Sequence, residues 1–70
     1  LLPRARKWSD SYFWEERNFS ARCFALCPLQ HDEKILLKLI DDQEFLVRKN
    51  AAVALTRLGS KKGISSIIAH

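Results

Sequence analysis

From residue 44 to residue 58 the apolar side chains Val47, Ala51, Leu55 and Leu58 recur at spacings of four, four and three. On an α-helix that spacing puts all of them on one stripe. Glu44 stands at the start of the segment and Arg57 at its end, the favourable sense against the helix dipole. Gly59 supplies a left-handed stop, and Ala51, Ala52 and Ala54 let a neighbouring helix come close while Leu55 fills the gap. The same reasoning predicts three further helices and the start of another. In residues 11–27, Phe13, Phe19, Cys23, Phe24, Leu26 and Cys27 oppose Glu15, Glu16, Arg17, Asn18 and Arg22, and Pro28 ends the run. Asp32 is the expected N-cap of a helix with Ile35, Leu36, Leu39 and Ile40 as its stripe. Asp41 and Asp42 close that helix and begin the next. Pro3 suits the first turn of a short opening helix reaching Ser9. After a turn at Lys61, Lys62 and Gly63, residues Ile64, Ile67 and Ile68 begin the fifth helix. Nothing alternates with period two, so the expectation is all-α, with no sheet and Leu36, Leu39, Ile40, Val47, Ala51 and Leu55 as the central core.

The pattern repeats at an offset of 31 residues, which pairs Arg17 with Arg48, Ala21 with Ala52, Phe24 with Leu55 and Cys27 with Leu58. Asp10 likewise falls on Asp41, and aromatic Trp14 on aromatic Phe45. Self-similarity near 30 residues at helical spacing implies an α-solenoid, in which each antiparallel helix pair buries its stripe against the next. Residues 1–70 then form one segment of about two repeats plus the start of a third. The opening LLPRARKW, the lack of Met and the apolar ending SSIIAH suit a piece of a longer solenoid.

The segment DDQEFLVRKNAAVALTRLG resembles the second half of a HEAT-type repeat. It has an Asp at the inter-helix turn, Val-Arg at the start of the second helix, a run of small residues and a Leu-x-x-Leu-Gly ending. ISSIIAH resembles the opening helix of the next unit, and the likeness covers about residues 10–70. The earlier copy departs from it, with Glu16 in place of Val47 and Pro28 in place of Gly59. The resemblance implies a scaffold or adaptor that binds other macromolecules, with Asp10, Arg17, Asp41 and Arg48 as ladder residues between units. KWSDSYFWEERN and the later EFLVRK are also similar to the DNA alkylation repair glycosylases, a HEAT-like family. That likeness implies phosphate contacts from Arg17 and Arg48, with Arg22 and Lys49 as further candidates if all four converge on one concave surface. Val53 stands where active members carry Trp, and Asp10 does not reproduce the spacing of their catalytic Asp, so a turn or ladder role is preferred for Asp10.

Twelve Lys and Arg against eight acids give a formal charge of +4, moderately basic. A solvated surface accounts for this better than a phosphate-binding face does. Cys23 and Cys27 lie four apart on one helix, where a disulfide would cross-link little; free and mostly buried thiols fit a reducing, cytoplasmic compartment. With His31 they share a spacing of four, but Pro28 interrupts the helix and a fourth zinc ligand is not evident, so neither metal nor cofactor is expected. Adjacent Glu15 and Glu16, or Asp41 and Asp42, point about 100° apart and do not converge as catalytic pairs. There is no phosphate loop or nucleophile elbow, and no apolar run approaches a membrane span of ~20 residues. The balance is against an enzyme. A protein-binding solenoid is the preferred reading, neighbours of the same longer chain and a protein being the expected partners and DNA the alternative.

Overall fold

The computed structural model describes the backbone of residues 2–27 and 29–69 and the side chains of residues 3–27 and 29–65. Five α-helices follow one another: α1 (Leu2–Trp8), α2 (Trp14–Leu26), α3 (Glu33–Leu39), α4 (Phe45–Leu58) and α5 (Lys61–Ala69), with a 3₁₀ turn (Gln30–Asp32) ahead of α3. Helix makes up 77% of the structure and no strand occurs among the described residues, so the chain is all-α. Adding 31 to both bounds of α1 gives those of α3, and adding it to the start of α2 gives the start of α4.

Several helix boundaries have a local cause. Before α2, Ser11 Oγ accepts the Phe13 N–H (3.1 Å); before α4, Asp42 Oδ1 accepts the Glu44 N–H (2.9 Å). A short polar side chain, Ser11 or Asp42, thus turns the chain three residues before each helix begins. This is why α2 starts at Trp14 rather than at Ser11. At the end of α4, Gly59 takes φ +73°, its N–H bonds to Thr56 O (3.1 Å), and the Ser60 N–H bonds to Leu55 O (3.1 Å). That pair of bonds is a Schellman cap, the expected use of a glycine there. Ser60 then starts α5 by accepting the Gly63 N–H (2.9 Å), so Lys61, Lys62 and Gly63 form the first helical turn instead of a separate loop. Asp32 does not cap α3 with its side chain; its buried carboxylate takes a bidentate grip from Arg6 (2.8 and 3.2 Å). A carboxylate with almost no water access needs a cation more than it needs one amide.

The core lies between α1, α2, α3 and α4. Leu36, Leu39, Ile40, Val47, Ala51 and Leu55 are all buried, as their spacing requires, and Ala5, Ala21, Phe24 and Ala54 join them. Each of the larger side chains contributes about 1.5–3 kcal/mol by leaving water. Three members of the stripe expected on α2 behave otherwise: Phe13 and Cys27 are exposed, and Leu26 is 77% exposed. Phe13 and Cys27 stand outside the helix proper, and Ser20, with its hydroxyl donating to Ala5 O (2.6 Å), takes the buried place against α1. Ile67, Ile68 and Pro28 lie outside the described side chains; Ile64 is partly exposed.

The most extensive contact is between α2 and α4. Asn50 Nδ2 donates to Asn18 Oδ1 (2.8 Å) near their starts, and Arg57 Nη1 donates to Ala25 O (3.0 Å) near their ends. Both contacts pair residues 32 apart, so the two helices run parallel in register. Ser60 Oγ, beyond the end of α4, donates to Glu33 at the start of α3, so α3 and α4 are antiparallel.

Candidate macromolecule-binding face

The two arginines found by the repeat occupy matching positions one turn into α2 and α4. Arg17 Nη1 donates to Ser11 O (3.0 Å) and Tyr12 O (2.9 Å). Arg48 Nη1 donates to Asp42 O (2.8 Å) and Gln43 O (2.9 Å), each carbonyl 31 residues beyond its counterpart. Each guanidinium therefore stitches the turn before its own helix to that helix. Arg17 goes further, because its Nε and Nη2 grip Asp42 of the second pair (2.6 and 3.1 Å). Four of the five N–H donors of Arg17 are thus used inside the fold. Arg48 instead lies over the Phe45 ring, 5.9 Å from its centroid.

The acid opposite Arg17 is Asp42, one residue past the expected ladder acid Asp41. Asp10 is exposed and pairs with Lys38 rather than with Arg17. Asp41 is exposed at the same turn. Asp42 wins because its carboxylate is nearly sealed, its side chain only 8% exposed, while also accepting the Glu44 amide. Burial pushes its pKa up. The Arg17 hydrogen bond, the Glu44 amide and the charges of Arg17 and Arg48 together outweigh that and hold the carboxyl below its ordinary value. A doubled role for Asp42, holding the turn before its own helix and binding Arg17 of the neighbouring pair, was signalled by nothing but its place two residues before Glu44.

Of the four basic residues considered for phosphate, Arg22 and Lys49 are exposed, while Arg17 and Arg48 are half-buried against backbone. The four do not present one continuous row of free cations. Cys23 is buried and Cys27 exposed, both thiols are free, and no cluster of three potential metal ligands forms among the described residues. His31 turns to Arg6, whose Nη2 lies 2.7 Å from its Nε2. No described helix is long and apolar enough to cross a membrane.

Concavities mark the surface among the described residues. A polar cleft of about 600 Å³ opens between the two inter-helix turns, with Tyr12 and Trp14 on its wall, Arg17 and Asp42 among its lining residues, and the Asp10–Lys38 pair beside them. A shallow groove of about 440 Å³ runs along α4 over Phe45, Lys49, Ala52, Val53, Thr56 and Arg57, and its lining is almost wholly apolar. Near the helix starts, Tyr12, Phe13, Trp14, Phe45 and Leu46 expose a further apolar surface. Lys49 and Arg57 are the cationic residues among the lining of the groove. The chain matches no protein-family model, no curated protein and no solved structure.

Proposed function

We propose that this chain is a HEAT-like α-solenoid segment, two helix pairs and the first helix of a third, and that it acts as a scaffold for protein partners. The observation that carries this reading is the Arg17–Asp42 link together with its repeat. The same arginine-on-turn arrangement recurs 31 residues later, and the first copy binds the second. Parallel packing of α2 on α4, with α3 antiparallel beside α4, is the arrangement in which helix pairs stack by translation. Stacks of this kind bury their stripes internally and leave one side of each helix layer for ligands. Here that side carries Arg22 and Leu26 on α2 and Lys49 and Val53 on α4. The enlistment of Arg17 within the fold favours protein over DNA, since a guanidinium with four bonds made has little left for a phosphate.

The test is solution NMR of the chain. A nuclear Overhauser contact between the side-chain amides of Asn18 and Asn50 is expected, and its absence removes the stacked arrangement. Titration with a duplex DNA at physiological salt should give only weak, non-saturating shifts. Saturable submicromolar DNA binding would replace the scaffold reading with a nucleic-acid one.

A further inference from the structure

The cleft between the two inter-helix turns is acidic in a basic molecule. Six of the chain's eight acids, Asp10, Glu15, Glu16, Asp41, Asp42 and Glu44, lie in or beside these turns, while the whole chain carries +4. Asp10, Asp41, Asp42 and Glu44 line the cleft against two cations, Arg17 and Lys38. Both cations are engaged within the fold: Arg17 grips Asp42 and Lys38 pairs with Asp10, so the balance left over is negative. Helix dipoles add little to it, because the ends of α1 and α3 meet the starts of α2 and α4 at the same place. Both walls, residues 9–17 and 38–44, belong to the two helix pairs described, so no further pair is needed to complete the cleft.

Its aromatic wall has a vacant face. At the start of α4, Arg48 lies over the Phe45 ring, 5.9 Å from the centroid, and in α1 Arg4 lies over Trp8 at 5.4 Å. Trp14 and Arg17 hold the places on α2 that Phe45 and Arg48 hold on α4, yet Arg17 turns away to Asp42 and the turn carbonyls. Among the described residues no cation lies over the Trp14 ring. Trp14 is 37% exposed, and Tyr12, 91% exposed, lines the same cleft.

We infer that this cleft receives an arginine side chain from a basic segment of a partner protein, its guanidinium against the Trp14 and Tyr12 rings and its charge answered by the acidic lining, Glu44 included. The inference rests on the scaffold reading above and names the chemistry of the partner. Arginine fits better than lysine, because a planar and weakly hydrated guanidinium stacks on an aromatic face while its edge donates to carboxylates. A metal ion fits less well, since no group of three acids, histidines or cysteines among the described residues converges as ligands. The negative lining repels a phosphate backbone.

Titration of the isotope-labelled chain with the blocked peptide acetyl-Gly-Arg-Gly-amide should shift the indole N–H of Trp14 and the backbone amides of Tyr12, Gln43 and Glu44. Saturation is expected with Kd on the order of 10⁻³ M at low salt, weakening as salt is added. The lysine counterpart should bind about threefold more weakly, and the citrulline counterpart, which keeps the shape and loses the charge, should not saturate. Tyr12→Ala and Glu44→Gln alter exposed side chains, so the Asn18–Asn50 contact should persist while each weakens the arginine peptide about threefold. Trp14→Leu should abolish saturable binding. Absence of the Asn18–Asn50 contact in the unaltered chain would count against the stacked reading itself. With that contact present, any of several results would overturn the inference alone: no shifts at about 20 mM arginine peptide, equal binding of the lysine or citrulline peptide, unchanged binding in both Tyr12→Ala and Glu44→Gln, shifts confined to the groove on α4, or tighter saturation of the same signals by Mg²⁺ or Ca²⁺.

Discussion

Leu55 and Gly63 are one unit of packing. A Cβ placed on Gly63 would stand 2.7 Å from Leu55 Cβ, an atom fixed to the backbone of α4, so no rotamer change can clear it. The missing methyl is what lets α5 lie on α4. Gly63→Ala should therefore destabilise the fold by about 1–3 kcal/mol, even though alanine is the better helix former. Leu55→Ala should cost about 2–5 kcal/mol, since the side chain is wholly buried and its neighbours are held by two helices. Urea denaturation followed by circular dichroism measures both, and a loss below about 1 kcal/mol for Leu55→Ala would mean that the site collapses onto the cavity. Asp42 is the other residue with more than one task. Its carboxyl has a lowered pKa in the folded chain, because the Arg17 bond, the Glu44 amide and the two guanidinium charges outweigh burial. A depressed acid stabilises the fold above the ordinary carboxylate pKa of about 4. The contribution drains away as the pH falls through the folded value. Stability should thus decline on acidification below about pH 4, and Asp42→Asn should flatten that part of the decline while costing about 1–3 kcal/mol at neutral pH.

At the scale of the helix, boundaries were legible wherever one residue decides them alone. Gly59 reads as a left-handed cap from sequence and takes φ +73°, and a Cβ added there would meet nothing within 4 Å. Gly59→Ala should accordingly cost only the backbone strain, about 1–2 kcal/mol, with no packing loss; thermal melts of the variant check it. Side-chain partners were misread where they lie far along the chain. Asp32 does stand at the N-cap position of α3, yet its carboxylate binds Arg6, 26 residues away, and caps no amide. Ser11 looks like the first residue of a helix, yet its hydroxyl holds the turn three residues before α2 begins. The same limit explains the ladder. The offset of 31 residues correctly aligned Arg17 with Arg48, but which of two adjacent aspartates meets Arg17 depends on the twist of the turn, and Asp42 rather than Asp41 faces it. Leu26 and Cys27 failed as core members for a related reason: periodicity places them near the stripe, and only the position of the neighbouring helix settles whether that edge is covered.

For the molecule as a whole, the surface charge and the surface geometry point in different directions, and mutation can separate them. A net charge of +4 alone predicts salt-sensitive attraction to DNA, typically with Kd of ~10⁻⁴ to 10⁻⁶ M and no sequence preference. The sequence could nominate Arg17, Arg22, Arg48 and Lys49 for that role equally, because spacing carries no record of what each side chain already holds. In the fold they differ. Arg22 and Lys49 are exposed, whereas Arg17 spends four donors on two carbonyls and a carboxylate. If residual DNA binding is measured against salt, Arg22→Ala and Lys49→Ala should each lower the slope by about one. Arg17→Ala should leave the slope unchanged and lower the melting temperature instead, because it frees Asp42 as a poorly solvated, unpaired carboxylate between two helix pairs. A slope that falls with Arg17→Ala while stability holds would place that arginine on phosphate, and would replace the proposed protein-binding role of the α2–α4 layer with a nucleic-acid one.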